Sequence, residues 1–220
     1  MPAFQFNTRL NLLELTGLKA RSIKELLEGL RSVPRSVIYH HTHHYLQQHQ
    51  YLYPEPPNDF AYWVREVLGE KQLGEELFAI DLCQITDLEC LRDQIIPVLE
   101  KYLQKNQLVT VHPGAAFHFV RSISFVFPTP YQADNLSEFV QALRKVSIHS
   151  LYFHIFEAPV RLGKGENDFS RWLRESLHED SLADRITRLD PYTQTMEGLR
   201  TRICSLVEAR IKEINSAQTC

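Results

Sequence analysis

The feature that most restricts this chain is that it contains itself twice. Shifted by 113 positions, residues 3–41 fall on residues 116–154 with 11 identities in 39 positions. Ala3, Phe4 and Phe6 meet Ala116, Phe117 and Phe119, and Thr16 and Ala20 meet Thr129 and Ala133. Glu25, Leu30, Arg31 and Val33 meet Glu138, Leu143, Arg144 and Val146, and Tyr39 and His41 meet Tyr152 and His154. About a third of the other pairs swap one apolar residue for another, as Leu26 for Phe139. The register then slips by four: Asn58-Asp59-Phe60, Trp63, Arg65-Glu66 and Leu68 recur as Asn167-Asp168-Phe169, Trp172, Arg174-Glu175 and Leu177. Both tryptophans of the chain thus hold the same place in their repeats. A repeat this long reads as a supersecondary unit copied once.

Each copy has the same grammar. An aromatic and β-branched stretch comes first, Phe4–Leu15 and Phe117–Phe127, the second ended by Pro128 and Pro130. Leu108–Val111 reads as a further strand. A helix then opens on a capping box, Ser22 with Glu25 and Asn135 with Glu138. Its apolar face carries Ile23, Leu26, Leu27 and Leu30, or Leu136, Phe139, Val140 and Leu143. A second helix is expected over Val37–Leu46 and Leu151–Val160, and a third after Asn58-Asp59 and Asn167-Asp168. A long helix over Thr86–Tyr102 is kinked by Pro97, and its counterpart starts after Asp190 at Pro191. Half of this chain has too little interior to stand alone. The expectation is therefore an α+β fold in which two strand-plus-helices units share one core about a pseudo-two-fold axis. That makes one domain, residues 1–220, of repeat one (about 3–106) and repeat two (about 107–214), with a disordered tail at about 215–220.

The bulk properties exclude several classes. A net charge of -3 with acids and bases mixed along the chain leaves no basic block to track a nucleic acid. No apolar run nears the roughly 18–20 residues of a membrane span, and MPAFQFNTRL has no basic stretch followed by an apolar one, so no signal peptide is expected. Cys83, Cys90, Cys204 and Cys220 have no metal-ribbon or disulfide spacing. A cytoplasmic location is expected, with a small anionic ligand or a protein as partner.

Histidine carries the chemistry. Five of the ten histidines lie in HHTHHYLQQH, as His40, His41, His43, His44 and His49. On a helix His41 and His44 share a face, and the second copy sets His154 and Glu157 at the same places. If the copies bring these helices together, His41, His44, His154 and Glu157 form a three-nitrogen, one-oxygen set suited to zinc, iron or manganese. The alternatives are a histidine-rich polar surface, or a polar pocket without metal. The pattern is not the HExxH of metalloproteases.

The loop RLGKGEND suggests a second site. Arg161 and Lys164, among Gly163 and Gly165 and just before the helix start at Asn167, read as an anion cradle, or else as a plain flexible turn. Asn58, Asp59, Asn167 and Asp168 read as helix caps, and Trp63 and Trp172 as structural anchors. No P-loop, nucleophile elbow, dinucleotide fingerprint or kinase set is present. Through HIFEAPVRLGKGENDFSRWL and YHHTHHYLQQH the chain resembles a bacterial family of uncharacterised proteins. The resemblance spans most of the chain and implies no catalytic residue. It implies that His154, Glu157, Arg161, Asn167, Asp168 and Trp172 belong to a family signature, with Pro159 interrupting the helix between Glu157 and Arg161. The function expected is a ligand- or protein-binding domain with a histidine-lined cleft between repeats. The alternatives are a metal-dependent hydrolytic or redox enzyme and a scaffold.

Overall fold

The computed structural model describes residues 2–44, 58–82, 85, 87–106, 109–163, 165–189 and 195–218. His49, Tyr51, Tyr53, Cys83, Thr86, Leu108, Lys164, Asp190, Pro191 and Cys220 lie outside them. The fold is α+β, with, among the described residues, one two-stranded sheet of β1 (Phe4–Ala20) and β2 (Phe117–Ala133). The strands are antiparallel: the Thr16 hydroxyl donates to the Phe119 carbonyl, Ser124 to the Asn11 side chain, and the Thr129 hydroxyl to the Phe6 carbonyl. Both strands outrun their expected ends, and β2 passes through Pro128 and Pro130. A two-stranded ribbon leaves every second N–H without a ladder partner, so two prolines spaced two apart fit its outer edge. In place of the expected strand at Leu108–Val111, Thr110 makes a single bridge to Ser22.

The helices in chain order are α1 (Ile23–Ser32), α2 (Arg35–Tyr39) with a π-helical turn at His40–His44, α3 (Asp59–Tyr62) with a second at Trp63–Val67, and α4 (Lys71–Phe78). After these come α5 (Leu88–Leu103), α6 (Leu136–Leu143), α7 (Ile148–Ile155), α8 (Glu157–Leu162), α9 (Asp168–Leu177), α10 (Asp180–Thr187) and α11 (Met196–Gln218). The expected caps form. Ser22 accepts from the Glu25 N–H and Asn135 from the Glu138 N–H, while each glutamate reaches back to the N–H before the cap, at Arg21 and Asp134. Helix α5 runs unbroken through Pro97 and is capped by Asp87. The break between α7 and α8 falls at Phe156, since Pro159 has no N–H to give the Ile155 carbonyl. Helix α11 continues to Gln218, into the stretch read from sequence as a tail. Among the described residues no helix is long and apolar enough to cross a membrane.

Two compact units result, one of Asn11–Ser124 and one of Met1–Leu10 with Phe125–Cys220. In the second unit Phe4 and Phe6 pack on Phe139, Phe169 and Trp172 from far along the chain. In the first, Phe117 and Phe119 stack among Phe60, Trp63 and His41. The start of each strand thus closes an aromatic core against helices it does not precede directly. The Trp63 indole donates to the Ala115 carbonyl and the Trp172 indole to that of Pro2, acceptors 113 positions apart. Arg92 donates to the Val33 carbonyl and Arg200 to that of Val146, another such pair, each satisfying a carbonyl left open where a helix ends.

One position differs sharply between the halves. A Cβ on Gly29 would lie 2.2 Å from Cζ of Phe119, a ring that is 1% exposed. The corresponding residue in the other half is Ala142. Overpacking of ~1–3 kcal/mol outweighs the ~1 kcal/mol that alanine gains over glycine in a helix. Gly29→Ala is therefore expected to destabilise the chain by about 1–2 kcal/mol in urea unfolding. Unchanged or raised stability would mean that the Phe119 ring moves aside freely.

Candidate functional site

The clearest chemistry is two histidine–aspartate pairs, one in each unit, each with a buried ring and a half-buried carboxylate. His41 sits in the π-helical turn after α2, is 2% exposed, and places Nδ1 2.7 Å from an Asp59 oxygen. Its Nε2 accepts the Val120 N–H of β2 at 2.9 Å. His154 repeats the arrangement, with Nδ1 2.7 Å from Asp168 and Nε2 accepting the Asn7 N–H of β1 at 2.8 Å. A ring nitrogen that accepts from a backbone N–H carries no proton, so in both rings Nδ1 is the protonated nitrogen and donates to the carboxylate. Burial lowers the His154 pKa, opposed by Asp168 and reinforced by the charge of Arg161. Phe4, Phe153 and Phe169 surround His154, and Phe60 and Phe117 surround His41.

Local sequence explains the placement. Asn58 accepts the Ala61 N–H at 2.8 Å and Asn167 the Ser170 N–H at 2.9 Å. The asparagines do the capping, and the aspartates one place on turn to the histidines. The carboxylate's role at Asp59 and Asp168 was missed in the sequence, although the recurrence of His and Asn-Asp at matched places was its signal.

This geometry overturns the metal expectation. Among the described residues no three or more His, Cys, Asp or Glu side chains are arranged to hold a metal ion. His41 and His154 have both ring nitrogens committed, and Glu157 is paired with Arg9 at 2.5 Å. His41 and His44 belong to one unit, His154 and Glu157 to the other. The zinc, iron or manganese cofactor falls with that site.

Around the second pair lies an ion cluster. Arg9 bridges from Glu157 toward the Phe153 ring, 5.8 Å from its centroid. Arg161 lies over the same ring at 4.5 Å and binds Asp168 at 2.5 Å. Of the expected anion cradle, Arg161 is thus engaged by a carboxylate, Asn167 is a cap, and Lys164 lies outside the described residues.

The other unit has a different set at the corresponding places. Shifting Arg9, Phe153 and Glu157 by 113 gives Ser122, His40 and His44. Ser122 is 5% exposed, and among the described residues its buried hydroxyl has no hydrogen-bond partner; the same holds for Nδ1 of His40. The His40 ring stacks on His44 at 5.1 Å and meets His41 edge-on at 4.7 Å. Burial, then the charges of His41 and His44, push the His40 pKa down to about 3.

A family model described as "Family of unknown function (DUF5752)" matches residues 1–208. Among solved structures, that titled "The structure of OrfY from Thermoproteus tenax" is 31% identical, with a TM-score of 0.80 over 94% of this chain and 95% of that one. This relative is archaeal, so it lends no support to the bacterial part of the expected family. A comparison with curated proteins finds no match.

Proposed function

We propose that this chain, which belongs to the DUF5752 family, is a binding protein that takes a small anion beside Ser122, His40 and His44. The observation that carries this is the pair of buried, unpartnered polar atoms, Ser122 Oγ and His40 Nδ1. Buried polar groups in native proteins have partners, and an orphan calls for a water, an ion or a ligand. At the corresponding places the other unit supplies its own carboxylate, Glu157, neutralised by Arg9. Here the carboxylate gives way to an imidazole and the guanidinium to a hydroxyl. The member missing from such a set is an anion. The two units descend, in this reading, from one duplicated ancestor, and the exchange of Arg-Glu for Ser-His is where their roles parted. The His41–Asp59 and His154–Asp168 pairs are structural.

Inorganic phosphate is the probe. Titrated into the protein at pH 6 and followed by NMR, it should shift the ring signals of His40 and His44 and the Ser122 amide. Binding should strengthen up to about tenfold for each pH unit lowered, since an anion favours the protonated ring. The double variant Ser122→Arg with His44→Glu installs the other unit's ion pair and should abolish the shifts while the protein stays folded. His40 and His44 ring signals that phosphate leaves unmoved at every pH from about 7.5 down to about 5.5 would reject the reading.

A further inference from the structure

The two units build the same strand–helix contact around different side chains. In one, the Asn7 N–H donates to Nε2 of His154; in the other, the Val120 N–H donates to Nε2 of His41. Asn7 and Val120 hold matched places in the repeat, as His154 and His41 do. Strand and helix are thus tied at matched atoms. Arg9 and Ser122 each lie two residues further along the strand, on the same face as the tie. Phe153 and His40 each stand one residue before the tied histidine. Ser122 therefore stands to His40 as Arg9 stands to Phe153.

The Arg9 guanidinium lies against the Glu157 carboxylate and 5.8 Å from the centre of the Phe153 ring. It is a flat, three-armed cation. The other unit reverses its surroundings. The carboxylate gives way to the His44 imidazole, and the electron-rich Phe153 ring to the His40 imidazole, which is cationic when protonated. Serine ends where an arginine side chain has only begun, so Ser122 does not reach the place of the guanidinium. Among the described residues nothing bonds to its Oγ or to Nδ1 of His40. The group that suits this place is a flat, three-armed anion.

Shape and charge narrow the class. A close-packed interior has no slack for an oxygen standing out of the plane, so a tetrahedral oxyanion fits worse than a trigonal one. The Ser122 hydroxyl and a protonated His40 Nδ1 are two donors, one for each oxygen along a carboxylate edge. Stacked at 5.1 Å, the His40 and His44 rings resist holding two protons at once, so one negative charge balances them. His41, edge-on to His40 at 4.7 Å, is committed to Asp59 and Val120 and stays out of the exchange.

We propose that the place beside Ser122, His40 and His44 selects small, flat monoanions, the class of carboxylates, hydrogencarbonate and nitrate. This selectivity rests on the anion site proposed above.

Sodium formate, sodium nitrate and phosphate, each titrated into the untagged full chain at about pH 6 and followed by the His40 and His44 ring signals, test it. All are chiefly singly charged there, so shape separates them. Formate and nitrate should bind at least about tenfold more tightly than phosphate. Phosphate as tight as either overturns the selectivity and leaves the anion site standing, whereas no shift with any of the ions removes both. Ser122→Gln sets a flat amide in the place of the guanidinium and should block formate while the chain stays folded. A variant that takes formate like the wild type shows that the ion sits elsewhere. A variant that unfolds shows that the place is already filled. Either result overturns the proposal.

Discussion

His154→Ala is expected to destabilise the protein by about 3–5 kcal/mol, among the largest effects any single substitution here should produce. Three losses coincide. The Asn7 N–H, which now donates to Nε2 at 2.8 Å, is left in a closed aromatic environment without an acceptor. An orphaned buried donor costs ~1–3 kcal/mol. Asp168 loses the proton donor at 2.7 Å and keeps Arg161 alone. The imidazole also leaves a hole beside Phe4, Phe6 and Phe169, and cavities in such cores add to the cost. His41→Ala removes the matching set, the Val120 N–H and Asp59, and should cost about as much. Urea unfolding followed by tryptophan fluorescence gives the magnitude. Hydrogen exchange at the Asn7 and Val120 amides should quicken in the respective variants. A loss below about 1 kcal/mol would show that the histidines do not hold the strands.

This role clarifies what the sequence could convey. The helical faces of α1 and α6 were legible because Ile23, Leu26, Leu27, Leu30 and their counterparts follow the 3.6-residue period, and all are buried. The caps at Ser22, Asn135, Asn58 and Asn167 were legible because a short polar side chain before an apolar stripe has few other uses. The extent of the strands was not. Prolines signal an end in most strands, and only a ribbon with a bare edge accommodates Pro128 and Pro130 mid-strand. Nor could the sequence tell that Phe4 and Phe6 complete the core around Trp172, because local patterning carries no information about which distant helices receive a strand.

The histidine cluster shows a different limit. Spacing marks His41, His44, His154 and Glu157 as faces of helices, which is all that a metal reading needs from sequence. What decides between ligand and strut is the partner of each ring nitrogen, and those partners are backbone N–H groups on strands far away in the chain. The Asn-Asp pairs carried a second ambiguity. Either residue caps a helix well, and only the approach of the histidine separates the cap from the hydrogen-bond acceptor.

The second large effect is a loss of stability in mild acid. His154 and His40 both have lowered pKa values in the folded protein, each chiefly from burial. His154 faces Asp168 and Arg161, and His40 faces the rings of His41 and His44. In the unfolded chain both take up a proton near the ordinary histidine pKa of about 6.5. Below that pH the unfolded state binds more protons than the folded state, so stability rises with pH and falls as pH is lowered. Each ring that stays neutral while its unfolded counterpart is charged contributes a slope of about 1.4 kcal/mol per pH unit. For His40 the window runs from about 6.5 down to about 3, where the folded ring also titrates and the slope ends. His40 should cost about 1 kcal/mol between pH 6 and pH 5, after allowing for its partial solvent access, and His154 adds in the same direction. Urea unfolding at pH 7, 6 and 5 measures the slope, and His40→Gln isolates one ring, because glutamine fills the place and does not titrate. The variant should remove about 1 kcal/mol of the loss over this range. A profile unchanged by His40→Gln would mean that the ring takes its proton as readily folded as unfolded, and would remove the buried imidazole from the account of the phosphate site as well.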